Sequence, residues 1–130
     1  MIAKNAALFL GILFIVFGVL GFVDNPVIGS NGAIHTGRTH DIVHLVTGFV
    51  FLGATLLQNE IIRIVILVFG FVYLLLGLIG LLQIGASGIG SVLGLTVNGN
   101  TNLFHIGLGV VVLIFGITAR RDVQRSTFKV

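Results

Sequence analysis

The chain has 130 residues, of which 56% are apolar and only 8% are charged. Soluble domains carry roughly 25% charged residues, so the surface of this protein is suited to lipid rather than to water. The absence of cysteine excludes disulfides, thiolate metal sites and cysteine nucleophiles. No basic stripe precedes the short C-terminal tail, which argues against a nucleic-acid-binding surface.

Charged residues divide the chain into uncharged stretches that are long enough to cross a membrane. Residues 5–23, 42–59 and 64–119 contain no Asp, Glu, Lys or Arg. The third stretch is too long for one span of about 20 residues, and it is broken by turn-forming Gly, Ser and Asn residues between 85 and 102. The sequence therefore predicts one all-α domain, an integral membrane four-helix bundle. The predicted helices lie near 5–23, 42–58, 62–84 and 103–119, followed by a short basic tail over 120–130.

The basic residues predict how this bundle is oriented in the membrane. If the N-terminus is cytoplasmic, six of the seven Lys and Arg residues lie on the cytoplasmic side, and only Arg38 lies outside. The six are Lys4, Arg63, Arg120, Arg121, Arg125 and Lys129. Since cytoplasmic loops carry an excess of basic residues, we expect a multi-pass protein of the plasma membrane with both termini in the cytoplasm.

The two halves of the chain share spacings that indicate two tandem helix-hairpin repeats. Three glycines in the first predicted helix and three in the third are spaced by seven and then three residues: Gly11, Gly18, Gly21 and Gly70, Gly77, Gly80. Small residues allow membrane helices to approach closely. We therefore expect a packing seam between the first and third helices, with a ligand groove as the alternative interpretation.

A second shared pattern places polar residues at the outer end of the bundle. In both 41–48 and 102–109, a residue suited to capping a helix is followed by His three positions later and by Gly four positions after that. The predicted outer layer comprises His40, Asp41, His44, Gln83, Asn102 and His105, with Asp41 and Asn102 as N-caps. We expect His44 and His105 to approach each other at matching depth.

Three interpretations of this layer remain open. The histidines can bond each other, Gln83 or loop backbone and so fix the loops to the bundle. They can instead ligate haem iron, or a divalent metal together with His40 and Asp41. A third role is pH sensing, because histidine titrates near neutrality.

The acidic residues give no indication of an enzyme. The four acids, Asp24, Asp41, Glu60 and Asp122, lie in pairs at the two faces, and no nucleophile–base arrangement is visible. We therefore predict a non-enzymatic module that has no catalytic residues, no cofactor and no metal ligands. Its expected partners are the lipid bilayer and either itself or another membrane protein, with no nucleic acid. A small haem- or metal-binding protein is the alternative.

Several segments of the sequence together resemble a known bacterial membrane family, domain of unknown function 4383. They are 17–22, 41–48, 71–74 with Gly77 and Gly80, and 102–109. The family pattern often has Asn before the first His motif and Trp in the second, where this chain has Asp41 and Phe104. The resemblance extends from about residue 6 to 119. It implies a four-helix protein of the bacterial inner membrane and assigns no catalytic residue.

Overall fold

The computed structural model describes residues 2–127 and the side chains up to residue 119. Within these residues the fold is an all-α four-helix bundle, as predicted. Its helices are α1 (Ile2–Phe22), α2 (Arg38–Ala54), α3 (Asn59–Ile84) and α4 (Gly99–Thr127). In this part of the chain α1, α3 and the first 21 residues of α4 are long and apolar enough to cross a membrane, which indicates a membrane protein. Helix α2 has 17 residues, or about 25 Å at 1.5 Å per residue.

Helices α2 and α4 begin four residues before their predicted starts, so the predicted N-caps are wrong. Asp41 and Asn102 lie inside the first turns. The N-cap of α2 is Gly37, in extended conformation. Asn98 precedes α4, and its Oδ1 accepts a hydrogen bond from the Thr101 backbone N–H at 2.9 Å. The Asn98 N–H donates in return to the Thr101 hydroxyl at 3.3 Å. This reciprocal pair satisfies the exposed helix end and starts α4 earlier.

At its other end α4 continues to Thr127, into the segment that was predicted as a tail. The basic side chains of that tail lie outside the described side chains. The extension follows from the backbone alone, since a helix can run past the apolar stretch wherever no proline or glycine interrupts it. None occurs between residue 117 and the end of the chain.

A single asparagine closes α1. The side-chain amide of Asn25 donates to the carbonyls of Leu20, Val23 and Ile28 at 2.7–2.8 Å. Its oxygen accepts from the backbone N–H groups of Val27 and Ile28 at 2.9 and 3.0 Å. Because the last carbonyls of a helix have no partner within the helix, Asn25 satisfies the helix end and turns the chain at the same point.

Short strands, which the sequence did not predict, form the loops between α1 and α2 and between α3 and α4. Strand β1 (Ile28–Gly29) pairs in parallel with β2 (Ile34–His35). Strand β3 (Ile89–Val92) pairs antiparallel with β4 (Leu95–Asn98). The two residues between β3 and β4, Leu93 and Gly94, both have positive φ, at 52° and 81°, as a two-residue hairpin turn requires. The hairpin buries one valine from each strand and covers the end of the bundle.

The glycines do not form the predicted seam between α1 and α3. Helix α1 packs mainly on α2, and α3 packs mainly on α4. A Cβ atom at Gly18 would lie 2.6 Å from Leu45 on α2, and one at Gly77 would lie 2.7 Å from Ile106 on α4. The shared spacing therefore reflects the same packing in both helical hairpins. In each hairpin, the glycines of the first helix contact large side chains of the second helix.

The same correspondence extends to the polar residues at the outer ends. The Asp41 carboxyl group packs directly on Gly21, and the Asn102 amide group packs directly on Gly80, where a Cβ would overlap either group. Farther along, the positions Gly11 and Gly70 also face the second helix of their own hairpin. Each hairpin is thus a close-packed pair of helices.

Candidate metal centre

Three histidines from the two helical hairpins meet at the end of the bundle that carries the short strands. His40 and His44 are four residues apart on α2, which places them on one face of the helix. His105 lies on α4. Because α2 begins at Arg38, His40 falls within the helix, as the one-face arrangement requires. The three side chains are 1–2% exposed, so the cluster is closed to bulk solvent.

The ring nitrogens of the three residues converge. His40 Nε2 lies 3.2 Å from His105 Nε2, and one nitrogen from each of the three rings lies within 4.8 Å of the others. The ring centroids are 4.7 Å apart for His40 and His44, 5.1 Å for His40 and His105, and 6.1 Å for His44 and His105. The cluster is therefore one group of three imidazoles rather than a pair with a distant neighbour.

A backbone carbonyl from the β3–β4 hairpin sets the orientation of His40. Its Nδ1 lies 3.0 Å from the carbonyl oxygen of Thr96. Because a carbonyl only accepts, Nδ1 must carry the hydrogen, and a neutral His40 then presents the Nε2 lone pair to the cluster. Metal-binding histidines are usually held in this way, with the distal N–H donated to a carbonyl or carboxylate.

His44 is buried without a hydrogen-bond partner at either ring nitrogen. Its ring instead contacts aromatic side chains, with centroids 5.8 Å from Phe14 and 6.3 Å from Phe17. An unsatisfied buried polar group costs about 1–3 kcal/mol. No hydrogen bond within the described residues therefore explains why a histidine occupies this position.

Tyr73 and Thr47 form the floor of the cluster toward the middle of the bundle. The Tyr73 ring lies 5.4 Å from that of His105, and its hydroxyl is 3.3 Å from the hydroxyl of Thr47. Both residues are buried. This pairing satisfies the phenol and leaves an aromatic, water-poor surface beneath the imidazoles.

Hydrogen bonds connect the two loops that cover the histidine cluster. The side chains of Asn98 and Asn100 both donate to the Ala33 carbonyl, at 3.1 and 3.0 Å. The Thr101 hydroxyl donates to the His35 carbonyl at 2.8 Å. The loop of the first hairpin is thus tied to the start of α4, close to the strand that carries Thr96.

The predicted outer layer is only partly assembled as expected. His40, His44 and His105 come together, whereas Asp41 and Asn102 turn to the glycines of their own hairpins. Gln83 is exposed and lies outside the cluster. Its depth in the bundle suggested the same layer, but the adjacent Ile84 takes the inner position and packs on the loop glycines 88 and 90.

The prediction from sequence missed the groups that support the cluster. The Thr96 carbonyl is a backbone atom, so no residue type could identify it. The Asn98–Thr101 pair does have a sequence signal, because a polar cap followed three residues later by a polar side chain is typical of a helix start. The turn-rich composition around it concealed that signal.

Residues 4–118 match the family described as Domain of unknown function (DUF4383), and the chain therefore belongs to it. Comparisons with curated proteins and with solved structures give no match.

Proposed function

We propose that this member of the DUF4383 family is a metal-binding membrane protein that holds one transition-metal ion through His40, His44 and His105. The observation that carries the proposal is that one ring nitrogen from each of three buried histidines lies within 4.8 Å of the other two. Imidazole is a common ligand of zinc, copper, iron and nickel. The chain has no cysteine to provide a thiolate site.

The distances support a shared ion. Two nitrogens that each lie about 2.0–2.1 Å from one ion, at angles between tetrahedral and trigonal, are separated by about 3.3–3.6 Å. The His40 and His105 nitrogens are 3.2 Å apart, close to this value, and one nitrogen of His44 lies within 4.8 Å of both. The ion would also give the unpartnered His44 a partner.

The arrangement favours a metal ion over haem. A haem with two axial histidines needs its imidazoles on opposite faces of a flat slot. Here a third imidazole, His40, lies against His105 at nitrogen contact distance. Phe14 and Phe17 pack around His44 on the other side. A porphyrin ring would have to displace these side chains.

A bound ion would connect the two hairpins. Two of its ligands lie on α2 and one on α4, while close packing is concentrated within each hairpin. We infer that the parallel hairpins arose by duplication, supported by the matched contacts of Gly18 with Leu45 and of Gly77 with Ile106. Only the pairing of histidines across the two hairpins completes the site.

The topology belongs to the same proposal. We place all four helices across the bacterial plasma membrane with both termini in the cytoplasm, supported by the distribution of basic residues. The histidines then lie near the outer face. The protein acts without catalysis, as a binding module whose apolar outer faces contact lipid and a second copy or another membrane protein.

Metal analysis of the purified protein tests the proposal. The protein in detergent should bind one ion per chain, and His40→Ala, His44→Ala and His105→Ala should each reduce occupancy strongly. His35→Ala is the matched control, since His35 lies in the same outer region but outside the cluster. Equal occupancy in the control and the three variants, or no binding by the wild type at any metal concentration, would contradict the proposal.

A further inference from the structure

The charge and number of the ligands at the histidine cluster restrict which ion fits it. All three ligands are neutral imidazoles, and the cluster contains no carboxylate. Burying an ion costs free energy that rises steeply with its charge, unless an opposite charge is buried nearby. We propose, on the basis of the proposed metal-binding function, that the resident ion is monovalent Cu(I) rather than a divalent cation.

One buried acid offers charge compensation, and it offers a single charge. The Asp41 carboxyl group follows His40 directly in the chain, is 1% exposed and has an oxygen without a hydrogen-bond partner. The other acids with described side chains are Asp24 and Glu60. Both are exposed, and Glu60 lies at the opposite end of the bundle beside Arg63. At most one negative charge is therefore available near the cluster, which balances a monovalent ion, whereas a divalent ion keeps at least one uncompensated positive charge in the interior.

The coordination number points to the same ion. Cu(I) is stable with three nitrogen ligands, whereas Zn(II) held by three histidines completes its tetrahedron with a water molecule. The groups around the three imidazoles are largely aromatic, from Phe14, Phe17 and Tyr73. The Tyr73 hydroxyl is already paired with Thr47. The described side chains around the cluster therefore supply three ligands and a dry surrounding, which suits a three-coordinate monovalent ion.

Competition between the two ions tests this inference. The purified protein is titrated anaerobically with Cu(I) in the presence of a chromogenic Cu(I) chelator, and separately with Zn(II) alone. We expect one equivalent of Cu(I), an X-ray absorption edge characteristic of three-coordinate Cu(I), and displacement of Zn(II) by Cu(I). Zn(II) that binds at the histidines and resists Cu(I) would overturn this inference and leave the proposed function standing. No binding of either ion would overturn both.

A charge variant tests the role of Asp41 without disturbing the fold. Asp41→Asn is structurally conservative, because Asn102 occupies the corresponding position against Gly80 in the second hairpin. Loss of the carboxylate charge should weaken Cu(I) binding by about tenfold and Zn(II) binding more, because the attraction between two charges scales with their product. Asp24→Asn, which alters an exposed acid, is the control and should leave Cu(I) affinity unchanged. Equal Cu(I) affinity in Asp41→Asn and wild type would contradict the charge argument.

Discussion

His44 is the residue that distinguishes a metal site from a cluster of polar side chains with a purely structural role. If the cluster only fixed the loops, each imidazole would be expected to hydrogen-bond, yet both nitrogens of His44 lack partners. His40, by contrast, bonds to Thr96 and contacts His105. The difference between these two residues of the same helix face indicates that His44 is placed for something other than protein hydrogen bonds.

His44→Leu should therefore leave the metal-free protein as stable as wild type or more stable. The substitution removes two unsatisfied polar atoms from an aromatic environment, and each such group costs about 1–3 kcal/mol. The same variant should lose the rise in thermal stability that metal gives the wild type, since a ligand stabilises only the state that binds it. Thermal melts in detergent with and without metal check both results. Strong destabilisation of the metal-free variant would mean that His44 has a structural role.

At the scale of elements, the glycine positions differ in what a side chain would meet. A Cβ at Gly77 would lie 2.6 Å from the Asn102 carbonyl and 2.7 Å from the Ile106 nitrogen, and backbone atoms cannot move aside easily. Gly107, on the facing helix, has no such atom within 4 Å. Substitution by alanine is therefore expected to have opposite effects on stability at Gly77 and at Gly107.

Gly77→Ala should destabilise the protein by about 1–3 kcal/mol, because overpacking forces the helices apart. Gly107→Ala should stabilise it by roughly 0.5–1 kcal/mol, because alanine restricts the unfolded chain and favours helix. Unfolding of the two variants in the same detergent provides the comparison. If both variants unfold at the same temperature as the wild type, α3 and α4 do not approach each other closely at Gly77.

The elements also show what the sequence could and could not predict. Long uncharged stretches predicted the helices, because hydrocarbon requires satisfied backbone groups and apolar side chains. Which helices would contact each other was not predictable from the glycines, since identical spacing suits either a seam between hairpins or one within each. The caps were placed too late because Asp41 and Asn102 are good capping residues, whereas the cap of α4 depends on the bonds between Asn98 and Thr101.

The candidate site was predictable in part for the same reason. Matching positions in the two halves brought His44 and His105 to one depth, and the four-residue spacing linked His40 to His44. The hydrogen-bond acceptor of His40 lies in the β3–β4 hairpin, whose turn requires positive φ angles at Leu93 and Gly94. Such a contact arises between segments far apart in the chain, so local patterns carry little information about it.

At the scale of the whole molecule, the orientation in the membrane can be measured directly. Ser30→Cys lies in the loop between α1 and α2, and Gln58→Cys lies at the turn between α2 and α3. Both positions are exposed, and the chain has no natural cysteine. An impermeant thiol reagent added to intact cells should label the first and not the second. The reverse pattern would invert the topology and place the histidines near the cytoplasm.

The proposed metal site also predicts a change in how the two helical hairpins move relative to each other. Close packing lies within the hairpins, and direct contact between α2 and α4 is sparse apart from the histidine rings. Spin labels at the exposed positions Val46 on α2 and Leu103 on α4 would report the distance between these helices.

Adding metal should narrow the distribution of that distance, because ligands on both helices then share one ion and fewer relative arrangements remain. The same labels in a His44→Leu background should show no narrowing, which separates ion binding from a general effect of the added salt. A wild-type distribution that stays unchanged while one ion is bound per chain would mean that the hairpins are already held rigidly by their loops. The hydrogen bonds from Asn98, Asn100 and Thr101 to the first loop would then be sufficient to fix the bundle, and the ion would occupy a site that the fold forms without it.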